Sequence, residues 1–270
     1  MTTEQKVVEK MLSQLPKRIE LQGARNFRDM GGYSVANGRT IQFGKLYRSD
    51  QLCDLTDSDA DVLNAIGIRT VVDFRRSNER GKSPNHPINP DVNHISLPVV
   101  EKGTDVFNVW KAIEGGELDA ESARSYLIKA NAGFISRHSQ VYADFMALLM
   151  NPDNYPLVFH CAAGKDRAGF AAASVLMNLG ASHDVIFHDY LATGHSTQAL
   201  IEHLLGKRPT LSNALEGLTA LLQVHPEYLG EAFLTIERAH GSIDAYLQSE
   251  QKMDAKKREA LANILCGISE

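Results

Sequence analysis

The stretch from Leu157 to Gly180 leaves this chain the least choice of fold. Leu157 to His160 is a short apolar run that reads as a strand, Gly164 marks a tight turn, and Arg167 to Leu179 is an apolar helix closed by Gly180. Ile68 to Phe74 is a β-branched run of the kind found in buried strands, and further strands are expected at Thr40 to Phe43, Lys45 to Arg48 and Asn93 to Val100. Asn26 to Gly38 reads as loop. Asp54 to Ile66 reads as helix, with Thr56 and Ser58 as cap candidates and Gly67 as its stop. Phe134 to Met150 repeats apolar residues at helical spacing until Pro152 and Pro156 end it, and helix follows helix from Ser182 to near Cys266. Strands alternating with helices in the middle, and helices at both ends, predict an α/β sheet with a helical C-terminal part.

The 270 residues suit one large domain, or a core with an appended helical part, and are ample for a buried core. A net charge of -5 carries no electrostatic footprint for nucleic acid, and no basic run or zinc-finger spacing overrides it. Lys252, Lys256, Lys257 and Arg258 are interleaved with acids and read as a solvated helix face. Cys53, Cys161 and Cys266 cannot form a fully paired framework, which points to free thiols in a reducing compartment. Met1 to Leu15 lacks a signal-peptide core and reads as a short amphipathic helix with Val7, Val8, Met11, Leu12 and Leu15 on one face. No stretch reaches the length of a membrane span, so no stable membrane insertion is expected. The default placement is cytoplasmic, with export lacking a cleavable signal left open. Glu101 to Ala132 is polar, interrupted by Gly103, Gly115 and Gly116, and carries Trp110; short helices forming a cover over the site are expected there.

The strand-turn-helix junction reads His160-Cys161-Ala162-Ala163-Gly164-Lys165-Asp166-Arg167. A cysteine and an arginine with five residues between them, spanning a strand end and a helix start, meet a specific demand. The turn wraps its backbone N–H groups, Ala162 to Arg167, around one oxyanion, and the helix N-terminus adds its dipole. The same field favours thiolate over thiol at Cys161. Arg167 supplies a planar fork for two phosphate oxygens. Neither Cys53 nor Cys266 has an arginine six positions on, and both read as packing or surface residues.

These residues resemble the phosphate-binding loop of the atypical bacterial protein tyrosine and dual-specificity phosphatases. Asn26-Phe27-Arg28-Asp29-Met30-Gly31-Gly32 is similar to that family's N-terminal signature, and Asp73-Phe74-Arg75 to a second motif. The register runs from about Leu21 to Ser242-Ile243-Asp244-Ala245-Tyr246-Leu247. The resemblance implies a cysteine-phosphatase-like fold, a parallel-containing central sheet flanked by helices, and no metal or other cofactor. It also implies activity on protein phosphotyrosine, in some members on phosphoserine, phosphothreonine or phosphoinositides. The family carries Thr or Ser after the loop arginine, where this chain has Ala168, which puts the efficiency of the second chemical step in doubt.

Several neighbours of the nucleophile stay open between roles. Lys165 either raises the local potential and reaches a second phosphate, or faces solvent in the turn. Asp166 either donates a proton or caps the helix. His160 reads as a buried residue that hydrogen-bonds the loop. A phosphatase needs an acid for the leaving oxygen, and no Trp-Pro-Asp sequence supplies one. Asp73, at the C-terminal end of a strand as Cys161 is, is the first candidate, against a structural pairing with Arg75 or Arg48; Asp166 is the alternate. Arg28 and Asp29 are expected as a buried ion pair anchoring the N-terminal loop. His183, His188 and His195 do not stack on one helix face and are not read as metal ligands. Beside the phosphatase stand a phospho-ligand binding module with negligible turnover and, with less support, a sulfur-transfer loop.

Overall fold

The computed structural model describes residues 16–99, 112–113, 115 and 118–268. The expected helix over Met1 to Leu15 and the first part of the expected cover lie outside them. The first half of the chain gives β1 (Lys17–Arg18), β2 (Arg28–Asp29), β3 (Arg39–Ile41), β4 (Leu46–Ser49), α1 (Asp57–Ile66), β5 (Thr70–Asp73), α2 (Ser77–Lys82), β6 (Asn93–Ser96) and α3 (Ala120–Ser136). The second gives α4 (Ser139–Leu149), β7 (Leu157–His160), α5 (Asp166–Asn178), α6 (His183–Leu191), α7 (Thr197–Lys207) and α8 (Leu215–Leu222). It ends with α9 (Pro226–His240), α10 (Ile243–Ser249), α11 (Ala255–Leu265) and β8 (Cys266–Ile268).

The main sheet has the strand order β1-β2-β4-β7-β5-β6. β4, β7, β5 and β6 run parallel, and β2 and β1 extend the β4 edge antiparallel. β8 returns to pair antiparallel with β3 in a separate ribbon. β7 lies between β4 and β5, so the loop that follows it opens at the middle of the sheet's C-terminal rim.

Side chains alternate across a strand, and the two faces here bury different cores. Leu46, Leu157, Phe159, Val72 and Phe74 join the larger cluster under the helices from α3 onward. Tyr47, Val158 and Val71 point the other way, into a smaller cluster closed by Leu63 of α1 and Phe27. α1 starts three residues after the expected Asp54, at the first of the two cap candidates: Thr56 accepts from the Asp59 N–H and Asp59 accepts from the Thr56 N–H, a reciprocal cap, and Gly67 ends it at φ 79°.

Two expectations need correction. The single helix from Phe134 to Met150 is two, because the chain leaves helical geometry at Arg137 and His138 before α4 begins. Ser139 Oγ donates to the Ile135 carbonyl at this bend, satisfying an acceptor that the helix end leaves open. Ala120 to Ala132, expected as short pieces outside the core, belongs to the 17-residue α3, which buries Ala123, Leu127 and Ala130 against α8 and α9. Among the described residues, no helix is long and apolar enough to cross a membrane.

Candidate active site

The loop between β7 and α5 turns its carbonyls outward. The Ala162 carbonyl accepts from the Gln51 N–H at 3.0 Å, and the Ala163 carbonyl from Asn26 Nδ2 at 3.2 Å. The Gly164 carbonyl accepts from Asn26 Nδ2 at 3.3 Å and Arg48 Nη2 at 2.7 Å. His160 Nδ1 lies 3.2 Å from the Cys161 carbonyl. A trans peptide sends its N–H opposite its C=O, so the amides of Ala162 to Lys165 are turned to the inside of the loop. Inward-turned successive amides are the backbone geometry that a nest for an anion requires. Gly164 is obligatory in it. Its φ is +65°, and a Cβ would come within 2.7 Å of both the Asp50 nitrogen and the Ser49 oxygen.

Behind the loop stands a buried charged network. Asp189 of α6 pairs with Arg28 of β2 at 3.4 Å and with Arg48 of β4, all three side chains being 2% exposed or less. Tyr33 adds its hydroxyl at 3.3 Å. Burial and the Arg48 charge press the Arg28 guanidinium down to about 10, while Asp189 pulls it up. Burial works against the Asp189 carboxylate as well, yet Arg48 and Arg28 hold it below the ordinary range. The expected pair of Arg28 with Asp29 is not formed. Neighbours on a strand face opposite sides, so Asp29 instead accepts from the Gly31 and Gly44 N–H groups at 2.7 and 2.8 Å.

In front of the loop, Arg167 is clamped. Its Nη1 and Nη2 lie 2.8 and 3.0 Å from the two carboxylate oxygens of Glu79, a residue of α2. Glu79 also takes the Arg76 N–H and Nε at 2.9 Å. Burial would raise the Glu79 pKa, but the Arg167 charge and bonds outweigh it and hold the carboxyl at about 2. Cys161 and Arg167 line one cavity of about 130 Å³. Its walls are Val99, Tyr126, Leu127, Ala130, Phe134, Leu221 and Leu222 on the apolar side and Arg76, Glu79, Asp166 and Lys165 on the polar side.

Asp166 is brought to this cavity, and its carboxylate meets the Tyr190 hydroxyl at 3.4 Å and Lys165 Nζ at 3.6 Å. Asp73 is not among the lining residues. It is registered against His160, one residue short of Cys161, so strand alternation turns it to the other face. There Arg75 takes both its oxygens at 2.8 to 3.1 Å and His160 Nε2 lies 3.5 Å away. Burial opposes the Asp73 charge, yet His160 and Arg75 keep its pKa below the usual carboxylate range. Burial drives His160 down to about 4 despite Asp73, so the ring is neutral near neutral pH.

Lys165 is neither solvent-facing nor free to reach out. It is 1% exposed, donates to the Leu221 and Gln223 carbonyls at 2.6 and 3.0 Å, and sits over the Tyr228 ring. Burial lowers its pKa against the pull of Asp166. Ala168 is fully buried in the first turns of α5. His183 lies tilted against the Phe233 ring at 4.7 Å between centroids, and His188 lies edge-on to Tyr33. Among the described residues, no group of three or more His, Cys, Asp or Glu side chains is placed to hold a metal ion. Sequence reasoning missed Glu79, Asp189 and Tyr190. Only Glu79 had a local signal, its position as the third helical residue after Arg76, where an acid reaches back to the helix start.

Residues 19–267 match the tyrosine phosphatase family. A protein of Cupriavidus necator that carries a tyrosine-protein phosphatase name is 32% identical over 234 residues, covering 85% of this chain and 82% of that protein. The triple specificity protein phosphatase PtpB of Mycobacterium tuberculosis is 29% identical over 278 residues, covering 92% and 98%. A crystal structure of TpbA from P. aeruginosa shares 15% identity over 75% of this chain and 94% of that one, at a TM-score of 0.31.

Proposed function

The chain belongs to the tyrosine phosphatase family, and on that premise we propose that it hydrolyses phosphate monoesters, protein phosphotyrosine foremost, through a phosphocysteine on Cys161. The observation that carries this reading is the loop itself: carbonyls bonded outward, amides turned in, and Cys161 and Arg167 on one cavity. The Cys161 thiolate attacks phosphorus as the ester P–O bond breaks, and Asp166 gives its proton to the departing oxygen. Water then attacks phosphorus, the P–S bond breaks, and the water proton returns to Asp166. Arg167, held in orientation by Glu79, binds two equatorial oxygens in both steps, where charge is spread over the transferring group. The apolar wall of Leu127, Phe134 and Leu222 supports an aryl ring as the group that carries the phosphate.

Asp166 is assigned as the acid because it lines the cavity, whereas the Asp73 carboxylate is occupied on the opposite face. An acid matters most when the leaving group is poor. Asp166→Asn should therefore lose about 10²-fold or more in kcat on an alkyl phosphate and far less on p-nitrophenyl phosphate. Asp73→Asn should show no such dependence. Cys161→Ser should abolish turnover, and Arg167→Ala should lower kcat/KM severely, both variants remaining folded by circular dichroism. Retained turnover in Cys161→Ser sinks the mechanism. Ala168 favours a second reading, a phosphate-binding module with little turnover, and wild-type protein that binds inorganic phosphate yet releases none from any aryl ester would establish it. Phosphoserine, phosphothreonine and phosphoinositide substrates belong in the same assay, since the mycobacterial relative is named for triple specificity.

A further inference from the structure

Gly169 occupies the first turns of α5, where an alanine would favour the helix. A Cβ there would lie 2.9 Å from both Cδ2 and Cε2 of Tyr190. The missing side chain lets the Tyr190 ring close on α5, and from that seat its hydroxyl reaches Asp166 Oδ1 at 3.4 Å. The ring is 1% exposed, and burial together with Asp166 raises the phenol well above its ordinary pKa, so it remains a donor throughout the working range. The second carboxylate oxygen faces Lys165 Nζ at 3.6 Å, and that ammonium is itself tied to the Leu221 and Gln223 carbonyls. Asp189, the residue before Tyr190, fixes Arg48 on the Gly164 carbonyl. One helix, α6, thus grips the phosphate loop through Asp189 at its back and through Tyr190 at its acid.

We propose that Tyr190 is a positioning residue for Asp166, holding the carboxyl at the cavity wall and stabilising the carboxylate that forms as its proton passes to the leaving oxygen. This rests on Asp166 being the acid. In the first step the proton leaves Asp166 for the ester oxygen while the P–O bond breaks, and the electron pair stays on the carboxylate. Tyr190 keeps its own proton throughout. A hydrogen bond to an ionised acceptor is about twice as strong as one to a neutral acceptor, so the contact strengthens as the reaction proceeds. An interaction that grows toward the transition state raises kcat rather than lowering KM. The 3.4 Å separation exceeds the usual O–H···O distance of about 2.7 Å, in keeping with catalytic hydrogen bonds that tighten only when substrate is bound.

Tyr190→Phe removes the hydroxyl and keeps the ring against Gly169. Its kcat is to be measured with wild type, Asp166→Asn and the double variant on aryl phosphates of rising leaving-group basicity and on one alkyl phosphate. Tyr190→Phe should lose about tenfold on the alkyl phosphate, the worth of a hydrogen bond to a charged group, and less than about twofold on p-nitrophenyl phosphate, with KM unchanged. Adding it to Asp166→Asn should cost nothing more. Gly169→Ala, which displaces the ring from the opposite side, should steepen the leaving-group dependence in the same direction. A uniform loss across the series, or an additive loss in the double variant, overturns the role of Tyr190 while leaving a leaving-group-dependent Asp166→Asn intact. A flat Asp166→Asn overturns the acid assignment itself, and the Tyr190 proposal with it.

Discussion

At the residue scale, the carboxylates around Cys161 are sorted by strand parity and by helix position. Asp73 and His160 share one face of the sheet, while Cys161, one residue further on, belongs with Phe74 and Phe159 on the other. Glu79 comes from outside the sheet and spends both oxygens on Arg167. Its pKa of about 2 lies below the ordinary 4.5, so it contributes stability that is fully present above about 4.5 and is lost as pH falls toward 2. In urea unfolding, the gap between wild type and Glu79→Gln should be widest near neutral pH and close progressively below about pH 4.5. The same variant should lower kcat/KM by about ten- to a hundredfold, because a misplaced Arg167 no longer presents its fork in line. A stability gap that persists unchanged to pH 3 would mean that the pair is not formed in solution.

At the element scale, the loop between β7 and α5 depends on a backbone that only glycine permits. Gly164 has both a positive φ and no room for a Cβ, whereas Gly67 has φ +79° and nothing within 4 Å. Gly67→Ala should therefore cost only the left-handed backbone penalty, about 1–2 kcal/mol, and leave turnover within about twofold. Gly164→Ala adds a collision with the Ser49 and Asp50 backbone to that penalty, so it should unfold at clearly lower denaturant and lose turnover on every substrate. Equal midpoints for the two variants would show that the loop relaxes around the added carbon. The loop's outward carbonyls came from partners that local sequence does not disclose: Gln51 beyond β4, Asn26 before β2 and Arg48 on β4.

At the scale of the whole molecule, Asp189 ties the sheet to the helical layer. Its carboxylate lies between two buried arginines on adjacent strands, with the register pairing Arg28 directly against Arg48. Asp189→Asn would leave two guanidinium groups buried without a counter-charge, which typically costs about 3–5 kcal/mol. At roughly 2–4 °C per kcal/mol for a domain near this size, calorimetry should show Tm lowered by on the order of 10 °C. A change of less than about 2 °C, within the effect of an ordinary surface substitution, would remove Asp189 from its place as the keystone between layers.

The turn that carries Cys161 and Arg167, the α/β class and the Thr56 cap and Gly67 stop of α1 were legible because each is local. A strand, a tight turn and a helix start write their signals within one contiguous segment, and Thr56, Asp59 and Gly67 satisfy backbone groups a few residues away. Alternation along Arg28-Asp29 and along Asp73-Phe74 was also present in the sequence, and applying it would have separated Arg28 from Asp29. What no local pattern carries is register. That Asp73 falls beside His160, that Arg28 falls beside Arg48, and that Asp189, Glu79 and Tyr190 arrive from helices distant in sequence depends on which strands pair and how the helical layer packs. The loop was therefore set by neighbours in the chain, whereas the surroundings of Asp73 and Asp166, the clamp on Arg167 and the support behind the loop were set by long-range burial, which brings charges together only once the sheet has closed.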